Sequence, residues 1–130
     1  MSIAAENRET CLKVTDLKMY FPVKSGIFSK ARSLKAVDGV SFSIAQGETM
    51  GLVGESGCGK TTVGRTILKL YEATGGSIVY KGTNITGFDD QEMRPYRRKM
   101  QMIFQDPYTS LDPRMNVEAI ISEPIRALKL

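Results

Sequence analysis

Three short segments of the chain alternate apolar and polar residues, and such alternation predicts half-buried β-strands. The segments LKVTDL, VSFSI and SIVYK predict strands at Leu12–Leu17, Val40–Ile44 and Ser77–Lys81. Gln46-Gly47 and Gly82, which follow the second and third segments, indicate turns. The stretch Tyr20–Lys35 contains a proline, a glycine and several basic residues, so it predicts a solvated loop between the first two strands.

Two further segments are apolar without strict alternation. Glu48–Val53 ends in the letters MGLV, which is typical of a strand that is covered on both faces of a parallel sheet. Met100–Phe104, with the letters MQMIF, predicts another short strand. Because these segments alternate along the chain with helical patterns, the order of elements favours an α/β fold.

Helical spacing begins at Lys60 in the segment KTTVGRTILKLY, where Val63, Ile67 and Leu70 would share one face. Gly75-Gly76 is expected to end this helix, because glycine is common just after the last helical turn.

A second and a third helix are predicted further along. Asp89 with Glu92 three positions later indicates a helix start of the capping-box type. Pro95 is expected to kink or divide that helix, because proline lacks the backbone donor. Val117–Leu128 predicts another helix, interrupted or restarted near Pro124.

Composition narrows the class of protein. The chain has 130 residues, of which 42% are hydrophobic and 25% charged, which fits one soluble globular domain or a piece of one. No apolar run is long enough to span a bilayer or to form a signal peptide, so we expect a cytosolic chain. With Cys11 and Cys58 far apart and no histidine, the sequence argues against a zinc site and against a disulfide.

The net charge of +4 raises the question of a nucleic-acid partner. The densest basic cluster, Arg94 to Lys99, lies beside several acidic residues and is interpreted as the solvated face of a short helix. No basic face is interleaved with aromatic residues, so the sequence argues against nucleic acid as a partner.

The stretch MGLVGESGCGKTT carries the main chemical signal. Gly54, Gly59, Lys60 and Thr61 fit the pattern G-x-x-x-x-G-K-[ST] of a phosphate-binding loop between a strand and a helix. Glycines let the backbone N–H groups turn inward, and the N-terminus of the following helix adds positive potential. The residues expected to bind the nucleotide here are Gly54, Glu55, Ser56, Gly57, Cys58, Gly59, Lys60, Thr61 and Thr62.

Each residue type in this loop suits a phosphate ligand. Lys60 can reach the β- and γ-phosphates, the Thr61 hydroxyl can ligate Mg²⁺, and Thr62 offers a second hydroxyl. A charge-assisted hydrogen bond is worth roughly 1.5–3 kcal/mol, so several converging donors can hold a triphosphate. The alternative is a glycine turn with a chance lysine, and the flanking strand and helix patterns argue against it.

A phosphate loop alone does not separate kinases, GTPases and ATPases. No N-K-x-D motif for guanine recognition is present. The segments LKVTDLKMYF, LKAVDGVSFSIAQGETMGLVGESGCGKTT and MQMIFQDPYTSLDPR, in this order, resemble the nucleotide-binding subunit of ABC transporters. The basic stretch after Phe21 and the letters QDPYTSLDPR are most similar to the dipeptide, oligopeptide and nickel importer subfamily.

The resemblance implies a fold and roles for individual residues. The fold would be an α/β P-loop NTPase of the ABC type, with an antiparallel β subdomain. Phe21 would stack on the adenine of ATP, with Tyr20 as the alternative; either ring could equally belong to the core. Gln105 would help to coordinate Mg²⁺ and take part in catalysis with Lys60; otherwise it is a glutamine at a strand end.

The resemblance also implies a domain organisation and partners. Residues 1–10 would form a tail, 11–105 the first half of the ATP-binding core, and 106–130 the start of a helical subdomain. ATP and Mg²⁺ would be the cofactors. The partners would be transmembrane permease subunits, a second ATP-binding subunit and, indirectly, a solute-binding protein. The complete protein would lie on the cytoplasmic side of the inner membrane as a peripheral subunit.

Three features of the family pattern are missing from the chain. It has no LSGGQ-type signature, no apolar strand ending in Asp-Glu and no histidine. We therefore expect a truncated form, with the second half of the domain lying beyond Leu130, and no hydrolysis by this chain alone. The alternatives are a non-catalytic nucleotide-binding module and a soluble, nucleic-acid-associated ABC-type ATPase.

Overall fold

The computed structural model describes residues 9–23, 32–106, 108 and 110–127. These residues form two units, the first ending at Phe88 and the second beginning at Asp89. The predicted boundary between residues 105 and 106 therefore falls inside the second unit. The predicted domain organisation stays a prediction, and most of its tail, residues 1–8, lies outside the described residues.

The first unit contains an antiparallel sheet with the strand order β2-β1-β3-β4. Its strands are β1 (Thr10–Val23), β2 (Arg32–Ala45), β3 (Gly75–Tyr80) and β4 (Thr83–Asn84). The three strands predicted from alternation are all present. The loop predicted over Tyr20–Lys35 is wrong at both ends, because β1 extends to Val23 and β2 begins at Arg32; the residues between, 24–31, lie outside the described residues.

The extension of both strands has a physical cause. Pairing with β2 satisfies the backbone of β1 as far as Val23, which lies opposite Arg32. Pro22, which lacks a donor and suggested a loop, lies opposite Ser33 in the hairpin formed with β2. Long-range strand pairing thus decides the conformation of residues whose local sequence favours a loop.

The core of the first unit lies between the sheet and helix α1 (Lys60–Ile67). Its buried apolar residues come from β1, β2, β3, α1 and the segment after β4: Val14, Leu17, Met19, Val37, Val63, Ile78, Tyr80 and Ile85. Thr66 is also fully buried, and its hydroxyl donates to the Thr62 carbonyl oxygen at 2.7 Å, so the core contains this polar group without an unmet donor.

Helix α1 ends earlier than predicted. Its last residue is Ile67, and Leu70 is exposed rather than on the buried face. Gly75-Gly76 does not end this helix but begins β3. Lys69 has a positive φ of 57° and a buried side chain whose Nζ donates to Glu72 Oε2 at 2.5 Å and Thr86 O at 2.7 Å. This turn, anchored by a buried ammonium group, closes the helix.

The two strands predicted at Glu48–Val53 and Met100–Phe104 are wrong. Both segments lack regular structure, and neither pairs with another strand among the described residues. Most of their apolar side chains are exposed: Val53 is 90% and Ile103 is 98% accessible. A strand needs a neighbour for its backbone donors and acceptors, so an apolar run without such a neighbour does not become a strand.

The second unit contains helices α2 (Asp90–Arg97) and α3 (Val117–Ala127). The capping box predicted for α2 is present, with Asp89 and Glu92 bonding each other's backbone N–H groups. Pro95 and Pro124 lie inside α2 and α3, so the predicted division at Pro95 and the predicted interruption or restart near Pro124 are wrong, while a kink at Pro95 stays a prediction. Helix α2 ends only two residues after Pro95, so little of this helix follows the missing donor.

No helix among the described residues is long and apolar enough to cross a membrane.

Candidate functional site: the glycine loop

The glycine loop, residues 54–59, leads directly into helix α1, which begins at Lys60 as the sequence predicts. Gly57 and Gly59 have φ values of 80° and 96°, a region that side chains with a Cβ rarely adopt. Gly59 is the N-cap residue and no acidic residue lies in the first turn of α1. The positive end of the helix is therefore not neutralised by a carboxylate of its own first turn.

The close approach of strand β2 is a second reason why only glycine fits at Gly59. A Cβ added at Gly59 would lie 2.3 Å from the carbonyl oxygen of Ala36 in β2. The loop thus packs backbone to backbone against the sheet at this point. By contrast, a Cβ added at Gly57 would meet nothing within 4 Å. The sheet contact fixes where α1 begins, while the exposed part of the loop stays open to solvent.

Lys60 folds back over the glycine loop. Its Nζ donates to Gly54 O at 2.7 Å and to Glu55 O at 2.5 Å, and lies 3.4 Å from Cys58 Sγ. An ammonium group has three donors, and these contacts account for all of them. The lysine holds the loop in a curl, and a phosphate oxygen that binds Lys60 would replace one of these acceptors.

Cys58 also limits the space at the start of the loop. Its Sγ lies 2.6 Å from the position of a Cβ added at Gly54, so only glycine fits there without a shift of the thiol. Cys58 is exposed and, like Cys11, is not in a disulfide.

Thr61 and Thr62 lie in the first turn of α1, and Thr61 is exposed. Gln105 is exposed and lies in the second unit, just before a turn in which Asp106 Oδ1 accepts from the Tyr108 N–H at 2.9 Å. Because Thr61 and Gln105 belong to different units, their shared approach to a Mg²⁺ ion stays a prediction. Among the described residues no cluster of carboxylate and thiol ligands suitable for a metal is present.

Phe21 lies in β1 opposite Leu34 of β2. Its ring packs edge-to-face against Tyr71, with centroids 5.3 Å apart and an interplanar angle of 89°. Tyr71 follows α1 in sequence, and its hydroxyl oxygen accepts a hydrogen bond from Arg65 Nη1 of that helix at 2.9 Å. Phe21 is only half-buried, so its ring is not enclosed by the core.

Tyr20, the alternative to Phe21, is engaged by charged neighbours. Its hydroxyl donates to Asp38, and Lys35 Nζ lies over its ring at 5.3 Å from the centroid. The hydrogen bond to Asp38 raises the pKa of Tyr20, and the bonds from Tyr20 and Lys35 lower the pKa of Asp38. Because these partners already use both its hydroxyl and its ring, Tyr20 is less suited than Phe21 to stack on a ligand.

Sequence reasoning missed several residues of this region. Ala36 meets the glycine loop at Gly59, whereas Asp38 contacts Tyr20 and Tyr71 contacts Phe21, and these contacts depend on strand pairing and on the turn after α1. Alanine carries no chemical signal, and a tyrosine after a helix is as easily a core residue. Asp38 belongs to the segment VDGVSF, which is part of the family resemblance, and this segment is the signal that could have pointed to it.

Comparison with known families matches residues 37–127, which is more than half of the chain, to the model described as "ABC transporter". The chain belongs to the ABC transporter family. The matched range includes the whole glycine loop, helix α1 and Gln105. The resemblance seen in the sequence is therefore confirmed.

Similar proteins within the ABC family are ATP-binding subunits of peptide transporters. The oligopeptide transport ATP-binding protein AppF of Bacillus subtilis is 51% identical over 124 residues, which are 94% of this chain and 38% of AppF. OppF of Escherichia coli is 45% identical over 97% of this chain and 39% of its own length. The dipeptide protein DppF of Escherichia coli is 44% identical over 91% and 35%. The chain thus spans less than two fifths of these relatives.

Solved ABC cassettes share the fold. A dimeric post-hydrolysis structure of the cassette MJ0796, bound to ADP and Pi, matches with a TM-score of 0.71 and 23% identity, over 90% of this chain and 47% of that one. A nucleotide-free cassette from an ABC transporter matches with a TM-score of 0.56 and 27% identity, over 77% and 35%. The predicted fold class, a P-loop NTPase of the ABC type with an antiparallel β subdomain, is confirmed.

Proposed function

We propose that the chain binds Mg-ATP at the glycine loop, as part of the ATP-binding subunit of an ABC importer for dipeptides, oligopeptides or a related solute. The observation that carries the proposal is the glycine loop itself. It enters α1 through two glycines of positive φ, and Lys60 is held at its centre. The names of AppF, OppF and DppF support the class of solute.

Within this site each residue has a proposed task. The N–H groups of Gly57, Gly59 and Lys60 face one concavity and donate to phosphate oxygens. Lys60 gives up its hydrogen bond to one loop carbonyl and donates to the β- or γ-phosphate instead. The Thr61 hydroxyl ligates Mg²⁺, with Gln105 as a further ligand. Phe21 stacks on the adenine. Mg²⁺ suits this donor set, because it prefers oxygen ligands and keeps several waters.

The partners and the location follow from the same proposal. Permease subunits bind the segment from Asp106 onward, a second ATP-binding subunit completes the site, and a solute-binding protein delivers the solute to the permease. The complete protein lies at the cytoplasmic face of the membrane as a peripheral subunit.

Hydrolysis is proposed only for the complete protein. The chain itself contains neither the signature motif nor the Asp-Glu pair nor a histidine. Without a positioned water and donors around the γ-phosphate, we expect ATP to bind without turnover above background. Orientation of that kind typically lowers a barrier by several kcal/mol.

The test is equilibrium binding of a labelled ATP analogue with Mg²⁺, together with a phosphate-release assay on the same folded sample. Lys60→Ala should weaken binding by roughly 2–3 kcal/mol, because one charge-assisted contact is removed. Lys81→Ala, which removes an exposed lysine after β3, is the matched control and should leave affinity unchanged. Steady turnover that Lys60→Ala abolishes would contradict the proposed lack of hydrolysis, and equal binding by Lys60→Ala would contradict the site.

A further inference from the structure

The edge-to-face pair of Phe21 and Tyr71 orients the ring that the proposed function assigns to adenine. In such a pair one ring presents its edge to the other, so Tyr71 covers at most one face of Phe21. The other face of Phe21 is not covered by Tyr71, and the side chain is only half-buried. Tyr71 therefore fixes the plane of the Phe21 ring and leaves one face of that ring for stacking.

Tyr71 is in turn held by helix α1. Arg65 Nη1 donates to the Tyr71 hydroxyl at 2.9 Å, and the Arg65 guanidinium lies 5.9 Å from the centre of the Tyr71 ring. Arg65 lies in the last turn of α1, the helix whose first turn carries Lys60 and Thr61. A continuous set of contacts thus runs from the last turn of α1 through Tyr71 to the Phe21 ring.

The position of Phe21 along the sheet places this ring near the glycine loop. Phe21 pairs with Leu34, which lies two residues before Ala36 in β2. The Ala36 carbonyl oxygen is the atom that a Cβ on Gly59 would meet at 2.3 Å. Two residues of extended strand span about 7 Å, so Phe21 and the loop lie at the same end of the sheet.

We propose that Tyr71 is a positioning residue for nucleotide-base recognition, holding the Phe21 ring in the plane that stacks on the base while Arg65 fixes Tyr71 to α1. This inference rests on the proposed function. It predicts that Tyr71 contributes to binding of the base and not to binding of the phosphates. Because stacking needs only a π-face, the contribution should be similar for adenine and guanine.

The experiment compares the affinities of the full chain for ATP, GTP and inorganic triphosphate, each with Mg²⁺, by titration calorimetry. Tyr71→Leu, which keeps apolar bulk but removes the aromatic ring, should weaken ATP and GTP about three- to tenfold, the range expected for an aromatic pair. Its affinity for triphosphate should not change. Tyr71→Phe keeps the ring and should bind ATP more tightly than Tyr71→Leu. Lys81→Ala, at an exposed lysine after β3, is again the control and should match the unsubstituted chain.

The outcomes separate this inference from the proposal on which it rests. A selective loss of nucleotide affinity in Tyr71→Leu, with triphosphate binding kept, supports the positioning role. Equal weakening of all three ligands would show a merely structural role and overturn it, as would unchanged ATP affinity. If the unsubstituted chain binds none of the three ligands, the proposed function fails and the inference fails with it. Tyr71→Ala serves as a second variant, judged by the same ratio of affinities.

Discussion

At the scale of single residues, the backbone around Asp16 explains why two glycines outside the glycine loop are needed. Asp16, Gly39 and Gly76 all have positive φ values, of 48°, 82° and 89°. The register of β1 shifts here against both neighbouring strands, and the Asp16 N–H donates to Ser41 Oγ at 2.8 Å. A β-bulge of this kind brings the backbone of β1 close to that of β3.

Gly76→Ala should therefore lower the free energy of unfolding of the first unit by about 3 kcal/mol, because backbone strain and a steric clash act together. The added Cβ would lie 2.4 Å from the Asp16 carbonyl oxygen and 2.6 Å from that of Thr15. Gly47→Ala is the matched control, since Gly47 has a φ of 74° but nothing within 4 Å. It should cost only about 1 kcal/mol. Denaturant unfolding measures both, and equal losses would contradict the clash.

At the scale of elements, helix starts agree with the sequence better than helix ends do. α1 begins at Lys60 and α2 at Asp90, each next to a local signal: the glycine loop and the capping box. The ends depend on packing instead. α1 ends at Ile67, where the turn with buried Lys69 takes over.

The capping box of α2 gives a prediction for the second unit. Asp89 Oδ1 accepts from the N–H groups of Gln91 at 2.8 Å and Glu92 at 2.9 Å. Asp89→Ala should destabilise α2 by about 1 kcal/mol, because two N–H groups lose their acceptor. Asp89→Ser, which restores a capping oxygen, should recover most of this stability. Hydrogen exchange at Gln91 and Glu92 is the measurement, and unchanged exchange in Asp89→Ala would contradict the role of the cap.

At the scale of the whole molecule, apolar residues are distributed unevenly between core and surface. Val14 and Ile78 are almost completely buried, whereas Val53 and Ile103 are among the most exposed apolar residues described. In α3 the exposed residues Val117, Ile121 and Ile125 recur every fourth position along one face, and none of the described residues of this helix is buried. The first unit therefore buries apolar residues of the sheet and α1, whereas α3 of the second unit buries none of its described residues.

Two valines in the first unit test this distribution with the same chemical change. Val14→Ala should lower the free energy of unfolding by about 2 kcal/mol, since two buried methyl groups are lost and a cavity remains. Val53→Ala should change it by less than about 0.5 kcal/mol, because the side chain is 90% exposed. Thermal and denaturant unfolding followed by circular dichroism measure both. A similar cost at the two positions would mean that Val53 is buried in solution.

The sequence predicted the chemistry of the site more completely than it predicted the geometry of the site. The pattern Gly54 to Thr61 predicted the glycine loop and the start of α1, and the family was recognised from segments on both sides of it. The strands predicted at Glu48–Val53 and Met100–Phe104 were wrong, although their composition is apolar. Composition reports what a segment can bury, whereas a strand also requires a neighbouring backbone, which a short local pattern does not reveal.

By itself the sequence determined the features that depend on neighbouring residues: the glycine loop, the capping box of Asp89 and Glu92, and the alternation of the strands that pair in the sheet. Only the tertiary structure decided that β1 and β2 continue through Pro22 and Ser33, that Gly59 packs against Ala36, and that Tyr71 meets Phe21. These contacts join residues that are many positions apart in the sequence, such as Phe21 and Tyr71. Their free energy comes from pairing and packing across that separation, which no local pattern encodes.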